Sequence, residues 1–173
     1  MHYVHKFVAT PVGNLKLVAS ESGLTAILWE NDKATRVRLE QSTLDETNSI
    51  LMAAETQLLE YFAGSRQNFS LPLDFVGTEF QKSVWQALLT IPYGETRSYG
   101  QIARQLGNEK AVRAVGAANG KNPISIIAPC HRVIGASGEL TGFAGGLAAK
   151  ELLLNLEKAQ AGTSLQLTLA ACN

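Results

Sequence analysis

The sequence predicts an α+β protein, in which a small antiparallel sheet with one covering helix precedes a mostly helical lobe that contains a helix-turn-helix. Three observations support this prediction: short apolar runs between turn sequences fill the first thirty residues, helical apolar spacing follows, and two helix-capping patterns stand after residue 77. A chain of 173 residues suits one domain or two small lobes. We place an N-terminal lobe at 1–77, a C-terminal lobe at 78–160 and a tail at 161–173.

The N-terminal lobe begins with three predicted strands at residues 3–9, 15–19 and 24–29. Pro-Val-Gly-Asn and Glu-Ser-Gly separate them, and because both are good turn sequences we expect an antiparallel meander. Between residues 44 and 62 apolar side chains recur at helical spacing, and Gly64 supplies a stop signal. This helix is expected to cover the sheet.

Two capping boxes mark helix starts in the C-terminal lobe. Thr78 and Gln81 can satisfy two free backbone N–H groups at the start of a helix, and Ser98 and Gln101 repeat the same pattern. The first of these helices carries one apolar stripe and ends before Pro92.

A helix-turn-helix unit is predicted between residues 98 and 119. Its first helix stops at Gly107-Asn108, and its second occupies about 110–119. The second helix consists mainly of small side chains, which suit either close approach to a groove or tight internal packing. A final helix is predicted at about 147–157.

Charge is unevenly distributed in a chain of zero formal net charge. Residues 1–78 are acidic, whereas residues 95–132 are basic. This distribution indicates either a local nucleic-acid surface or an ordinary solvated face. The sequence has no apolar run of membrane-spanning length and no secretory signal pattern, so we expect a cytoplasmic protein.

The strongest chemical signal is the segment Pro129-Cys130-His131-Arg132-Val133, in which an apolar run ends in a thiol, an imidazole and a guanidinium. A free cysteine with a pKa near ~8.5 needs help from neighbouring groups to act as a nucleophile, and His131 and Arg132 could give it. The alternative is an inert core cysteine. Because Cys172, the other thiol, falls in the expected tail, we predict no disulfide and a reducing compartment.

This segment is identical to the active-site signature of the O6-alkylguanine-DNA alkyltransferases. The resemblance extends over residues 78–157 through an ordered series of shorter matches, and the stretch 119–126 resembles the bacterial constitutive type. It implies that the N-terminal lobe is ribonuclease-H-like, with the helix-turn-helix and the cysteine in the C-terminal lobe.

The resemblance also implies catalytic roles. Cys130 is then the alkyl acceptor, His131 deprotonates it through a water, and Glu157 orients His131. Tyr99 assists rotation of the damaged nucleotide and donates a proton or hydrogen bond to the leaving purine. From the residues alone, Glu157 would be a solvated charge on the last helix.

Further residues are implied to bind DNA or shape the pocket. Arg113 fills the base stack, and the other predicted DNA-contacting residues are Tyr99, Ala114, Gly116 and Ala118. The pocket residues are Val133, Phe143, Ala144 and Gly145. Phe143 and Ala144 depart from the tyrosine and serine that many relatives carry, so two hydroxyls are missing. Asn122 is expected to brace the turn before the active-site strand, and Arg132 to be either a structural charge or a DNA contact.

The function implied is irreversible transfer of an alkyl group from O6-alkylguanine, and from O4-alkylthymine, to Cys130, with one turnover per chain. A monomer would bind double-stranded DNA in the minor groove without sequence preference. We expect no cofactor, and no metal at His2 and His5.

Three other functions are weighed against alkyl transfer. A thiol hydrolase is disfavoured because adjacent residues on an extended strand, such as Cys130 and His131, point to opposite faces. A damage-recognition module would lack the acceptor cysteine. A regulator fused to the same domain would need a longer chain.

Overall fold

The computed structural model describes residues 2–171 and the side chains of residues 2–161. The expectation for Cys172 therefore lies outside the described residues. No helix in this part of the chain has the length and apolar character needed to cross a membrane.

The N-terminal lobe is a four-stranded sheet with one helix. Its strands are β1 (Tyr3–Thr10), β2 (Gly13–Ala19), β3 (Leu24–Leu28) and β4 (Ser42–Leu44), in the order β3-β2-β1-β4. The antiparallel meander of β1, β2 and β3 is confirmed. β4, which pairs in parallel with β1, was not predicted.

Helix α1 (Ser49–Phe62) covers the sheet, as expected. It begins later than predicted because the Asn48 side chain accepts hydrogen bonds from the first backbone N–H groups of the helix. Its buried residues Leu51, Ala54, Leu58 and Tyr61 recur at helical spacing and pack against the sheet.

The C-terminal lobe is mostly helical. Its elements are α2 (Glu79–Leu88), β5 (Arg97–Ser98), α3 (Tyr99–Gln105), α4 (Val112–Gly120), a 3-10 turn (Cys130–Arg132), β6 (Val133–Ile134) and α5 (Leu147–Ala171). Both predicted capping boxes are confirmed, at α2 and at α3. α3 and α4 form the helix-turn-helix pair, and α5 continues beyond the predicted end near residue 157.

The two lobes share a core. Ile124, Ile126 and Ile127 of the segment before Cys130 pack in one cluster with the sheet and α1. The Ile27 N–H of β3 donates to the Pro123 carbonyl at 2.8 Å, so the sheet directly supports that segment. A second cluster joins α2, α3 and α4 and contains Cys130.

Candidate active site

Cys130 follows a braced and strained segment. The Asn122 amide donates to the Ala128 carbonyl at 2.8 Å and accepts from the Ile124 N–H at 3.1 Å, which matches the expected brace. Ile126 has a φ of +76°, a left-handed conformation that is unusual for a β-branched residue. This geometry delivers Pro129 and Cys130 into the core between the lobes.

The backbone at Cys130 differs from the expected strand. Cys130–Arg132 form a 3-10 turn, and the extended strand starts only at Val133. The expectation that Cys130 and His131 alternate faces on an extended strand is therefore wrong. The separation nevertheless holds, because Cys130 packs with α2, α3 and α4 whereas His131 bonds to α5.

The Cys130 thiol is 4% exposed. Burial raises its pKa, since a thiolate loses water there. Hydrogen bonding by Asn122 and Ser125 and the positive charges of Arg36 and Lys150 oppose that rise. The site thus holds a thiol that stays protonated at rest and is surrounded by groups that stabilise its anion.

Glu157 of α5 is the centre of a buried hydrogen-bond cluster. One carboxylate oxygen accepts from the Tyr61 hydroxyl at 2.6 Å, from His131 Nε2 at 2.6 Å and from Arg132 at 3.0 Å. The other accepts from Arg132 Nε at 2.8 Å and from the Gly94 N–H at 3.3 Å. Burial alone would raise the pKa of Glu157, but the His131 and Arg132 contacts lower it to about 2. The carboxylate is therefore ionised.

Arg132 is a buried structural charge, which is one of the two alternatives left by the sequence. Besides its two bonds to Glu157, it donates to the Ile91 carbonyl at 2.7 Å and lies over the Tyr93 ring. Its side chain is only 7% exposed. It is the counter-ion of Glu157 and is not placed to reach DNA.

His131 is neutral in this cluster. Burial lowers its pKa, and the Glu157 contacts that raise it do not reverse the direction. Because Arg132 already neutralises Glu157, His131 donates its Nε2 hydrogen to Glu157 as an uncharged ring. Nδ1 is left as an acceptor, and no described protein group bonds to it. The ring can therefore take up one proton on that side.

The predicted pocket residues lie around the loop 138–146. Phe143 packs against both core clusters, and Phe143 and Ala144 line a cavity of about 370 Å³ together with residues between 31 and 36 and residues 120–121. Cys130 and Val133 are not among the residues that line this cavity. Val133 is fully buried below the loop, and Gly145 rests against the N-terminal lobe. The loop therefore forms one wall between the lobes.

Tyr99 stands beside this loop. Its hydroxyl shares a hydrogen bond with the Thr141 hydroxyl, and its ring packs against the second core cluster. The ring also lies near Gly116, where an added Cβ would be 3.8 Å away. Tyr99 thus joins the loop to α4.

Helix α4 presents only part of the predicted DNA-contacting set. Arg113 and Ala114 are exposed, and Gly116 is partly exposed. Ala118 is 3% exposed and packs in the core, where its carbonyl accepts from Trp85 Nε1 at 2.8 Å. The prediction that Ala118 contacts DNA is corrected, because this face of the helix is turned inward.

Several residues at the site were not predicted. Lys150 is buried and donates to the carbonyls of Val133 and Thr141, and it shares a helix face with Leu153 and Glu157, a periodicity that could have indicated it. Arg36 donates to the carbonyls of Asn122 and Ile27 and pairs with Asp32. Nothing in the sequence indicates that Arg36 belongs to the site, because its contact there, the Asn122 carbonyl, lies 86 positions away.

Metal chemistry has no visible support in the described part of the chain. Among residues 2–161, no three His, Cys, Asp or Glu side chains converge as a metal ion would require.

Comparison with known proteins identifies the family. Residues 3–75 match the ribonuclease-like domain of 6-O-methylguanine DNA methyltransferase, and residues 79–159 match its DNA-binding domain. Methylated-DNA–protein-cysteine methyltransferases of Mycobacterium leprae and Methanosarcina acetivorans are 54% and 51% identical, over 91% and 86% of this chain and 94% of each relative. The crystal structure of Mycobacterium tuberculosis OGT in complex with DNA superposes with a TM-score of 0.81 at 50% identity, covering 92% of this chain and 94% of that one. This chain therefore belongs to the 6-O-methylguanine DNA methyltransferase family, DNA-repair enzymes that transfer an alkyl group from DNA to a protein cysteine.

Proposed function

We propose that this protein repairs O6-alkylguanine, and also O4-alkylthymine, by moving the alkyl group irreversibly to Cys130 in a single turnover. The observation that carries the proposal is the arrangement of Cys130, His131 and Glu157: a buried thiol follows a braced turn, and a neutral imidazole with a free acceptor nitrogen is held by an ionised carboxylate.

The proton path follows from the tautomer of His131. Since Nε2–H donates to Glu157, Nδ1 accepts the Cys130 proton, through a water molecule. The imidazolium that forms is stabilised by the adjacent carboxylate. Glu157 and Arg132 keep the ring oriented and are positioning residues in this scheme.

The transfer is a displacement at the alkyl carbon. The sulfur–carbon bond forms as the bond from carbon to O6 breaks, and the electron pair of that bond passes to the guanine. Tyr99 donates a hydrogen bond to the departing base, and the proton that the guanine gains balances the one taken up by His131. A thioether has no easy hydrolytic route back, so the reaction stops after one lesion.

The lesion must leave the duplex to reach Cys130. Rotation of a nucleotide costs a few kcal/mol, and less for a poorly paired damaged base. Arg113, which is exposed on α4, would fill the gap, while the small exposed surface at Ala114 and Gly116 would approach the minor groove. The helix offers few polar side chains for reading bases, which supports binding without sequence preference. That the protein binds as a monomer stays a prediction. A cytoplasmic location stays a prediction.

The test is duplex DNA with an isotopically labelled methyl group on guanine O6, followed by peptide mass analysis. We expect label on the peptide that contains Cys130, a yield that saturates at one methyl group per chain, and none in Cys130→Ala. A matched duplex with O4-methylthymine tests the second substrate. Continued turnover would contradict the single-use mechanism, and tight binding without transfer would make the protein a damage-recognition module.

A further inference from the structure

Trp29 of the N-terminal lobe touches both segments that flank the acceptor cysteine. It directly follows β3 and is 7% exposed. Its indole Nε1 donates to the Ser125 hydroxyl at 3.2 Å, in the segment before Cys130. Its ring meets Phe143 edge-on, at 5.3 Å between centroids, in the loop after Cys130. Trp29 therefore bridges the two sides of the site from another lobe.

The pocket loop lies closely on the indole. A Cβ added at Gly145 would fall 2.6 Å from atoms of the Trp29 ring, so only glycine allows the backbone to approach this far. Gly145 and Phe143 thus rest on one rigid surface that the N-terminal lobe supplies. The position of the pocket wall depends on that surface.

The indole N–H also determines what Ser125 can do. A serine hydroxyl has one hydrogen to donate, and its oxygen accepts. Because the Ser125 oxygen accepts from Trp29, the hydroxyl hydrogen of Ser125 is available for donation to another acceptor. Ser125 is fully buried, and its side chain is one of the groups that oppose the burial-driven rise in the pKa of the Cys130 thiol. Asn122, Arg36 and Lys150 act on the pKa of this thiol in the same direction.

We propose that Trp29 is a positioning residue for alkyl transfer: its N–H directs the Ser125 hydroxyl to the Cys130 sulfur, and its ring holds the pocket loop at Phe143 and Gly145. The inference rests on the proposed function of Cys130. It gives the N-terminal lobe a part in the chemistry, whereas all of the site residues expected from the sequence lie in the C-terminal lobe.

Trp29→Phe tests the N–H contribution, because phenylalanine retains an aromatic ring and loses the donor. The readout is the ultraviolet absorbance of the thiolate against pH, taken without DNA as the difference from the matching Cys130→Ala protein. A hydrogen bond to a charged group is strong enough that its loss should raise the apparent pKa of Cys130 by about one unit in Ser125→Ala. Trp29→Phe should give a rise in the same direction.

A double-mutant cycle separates positioning from general packing. If Trp29 acts through Ser125, Trp29→Phe should add nothing to the thiol pKa once Ser125→Ala is present. Ser20→Ala is the matched control for Ser125→Ala, since Ser20 is another buried serine and its hydroxyl donates to Asp74 in the N-terminal lobe. It should lower the melting temperature and leave the thiol pKa unchanged. An unchanged pKa in Trp29→Phe, or additive effects in the cycle, would overturn the inference.

Transfer kinetics give the second readout. With O6-methylguanine duplex at neutral pH, Trp29→Phe should slow transfer by up to about tenfold, and raising the pH should restore the rate, because each unit of thiol pKa changes the thiolate fraction about tenfold. A slowed rate that pH does not restore would contradict the Ser125 link. The thiol pKa is measured without substrate, so it remains informative even if alkyl transfer itself fails.

Discussion

The two sides of Cys130 are built differently. Behind it, the carboxylate oxygens of Glu157 accept from four residues, and the side chains of Tyr61, His131 and Arg132 among them are buried. In front of it, the loop 138–146 and the outer face of α4 are largely exposed, and the Tyr99 hydroxyl joins that loop to α3 through Thr141. Under the proposed mechanism, the proton transfer takes place in the buried region, whereas contact with DNA takes place on the exposed one.

Glu157→Gln should have the largest effect, because it leaves the buried Arg132 without its counter-ion. Removing one partner of a buried ion pair costs about 3–5 kcal/mol, and transfer should fall by more than about a hundredfold in the protein that remains folded. Denaturant unfolding and single-turnover kinetics measure the two effects. Glu151→Gln, on the exposed face of the same helix, is the control and should change neither. Full activity in Glu157→Gln would remove the cluster from the mechanism.

The same cluster should make the free energy of unfolding depend on pH. Glu157 has its pKa lowered to about 2 in the folded state, so its contribution is present above its ordinary value of 4.5 and is lost as pH falls toward 2. That pKa difference corresponds to roughly 3 kcal/mol. His131 also has a lowered pKa, so the unfolded chain gains a proton first, and stability should begin to fall below about pH 6.5.

Unfolding free energy measured across this pH range checks both parts. His131→Gln cannot titrate and should reduce the loss that begins near pH 6.5 to the part that His5 contributes, because burial also lowers the pKa of His5. The loss at lower pH should remain but shrink, because the His131 contact helps to lower the pKa of Glu157. Identical curves for the two proteins would show that His131 does not titrate in this way.

Arg113→Ala tests the exposed surface of α4. Arg113 is exposed and no described group bonds to it within residues 2–161, so stability should change by less than about 0.5 kcal/mol. Transfer from duplex DNA should slow by on the order of ten- to a hundredfold if the side chain holds the gap in the base stack. Arg38→Ala, an exposed arginine in the N-terminal lobe, is the control in the same single-turnover assay. Equal rates for both variants would count against the role of Arg113.

Gly145→Ala should have a smaller effect, and it tests the contact between the loop 138–146 and Trp29. The new methyl group would meet the Trp29 ring at 2.6 Å and push the loop outward, at a cost of about 1–3 kcal/mol. Transfer should slow by about tenfold or less. Gly142→Ala lies in the same loop with nothing within 4 Å of an added Cβ, so it should behave like the unchanged protein. If both variants transfer the alkyl group at the same rate, the contact with Trp29 does not determine the position of the loop.

Local patterns predicted local structure well. The capping boxes at Thr78 and Ser98 fixed two helix starts, because each is a contact between residues three apart. β4 was missed because three residues carry almost no periodicity, and its parallel pairing with β1 depends on the crossover connection between β3 and β4. Ala118 was assigned to the wrong side of α4 because small residues fit a groove and a core equally well.

The site residues also fall into two groups: those that the family resemblance identified, and those that depend on contacts distant in the sequence. Cys130, His131 and Glu157 came from a family motif, and the structure brings His131 and Glu157 into contact. Tyr61, Trp29 and Arg36 could not be predicted, since their partners in the site, Glu157, Ser125 and Asn122, lie 86 to 96 positions away. A core tyrosine or tryptophan also looks ordinary in sequence.

The hydrogen bond from Tyr61 to Glu157 also bears on whether the protein can be divided. A fragment beginning at Thr78 would keep the motif and the helix-turn-helix. It would lack Tyr61 of α1, so Glu157 would lose a hydrogen-bond donor and become exposed on that side. It would also lack β3, whose Ile27 N–H donates to the Pro123 carbonyl. The two lobes should therefore melt in one cooperative transition. Neither lobe could then be replaced in evolution without rebuilding the surface of the other.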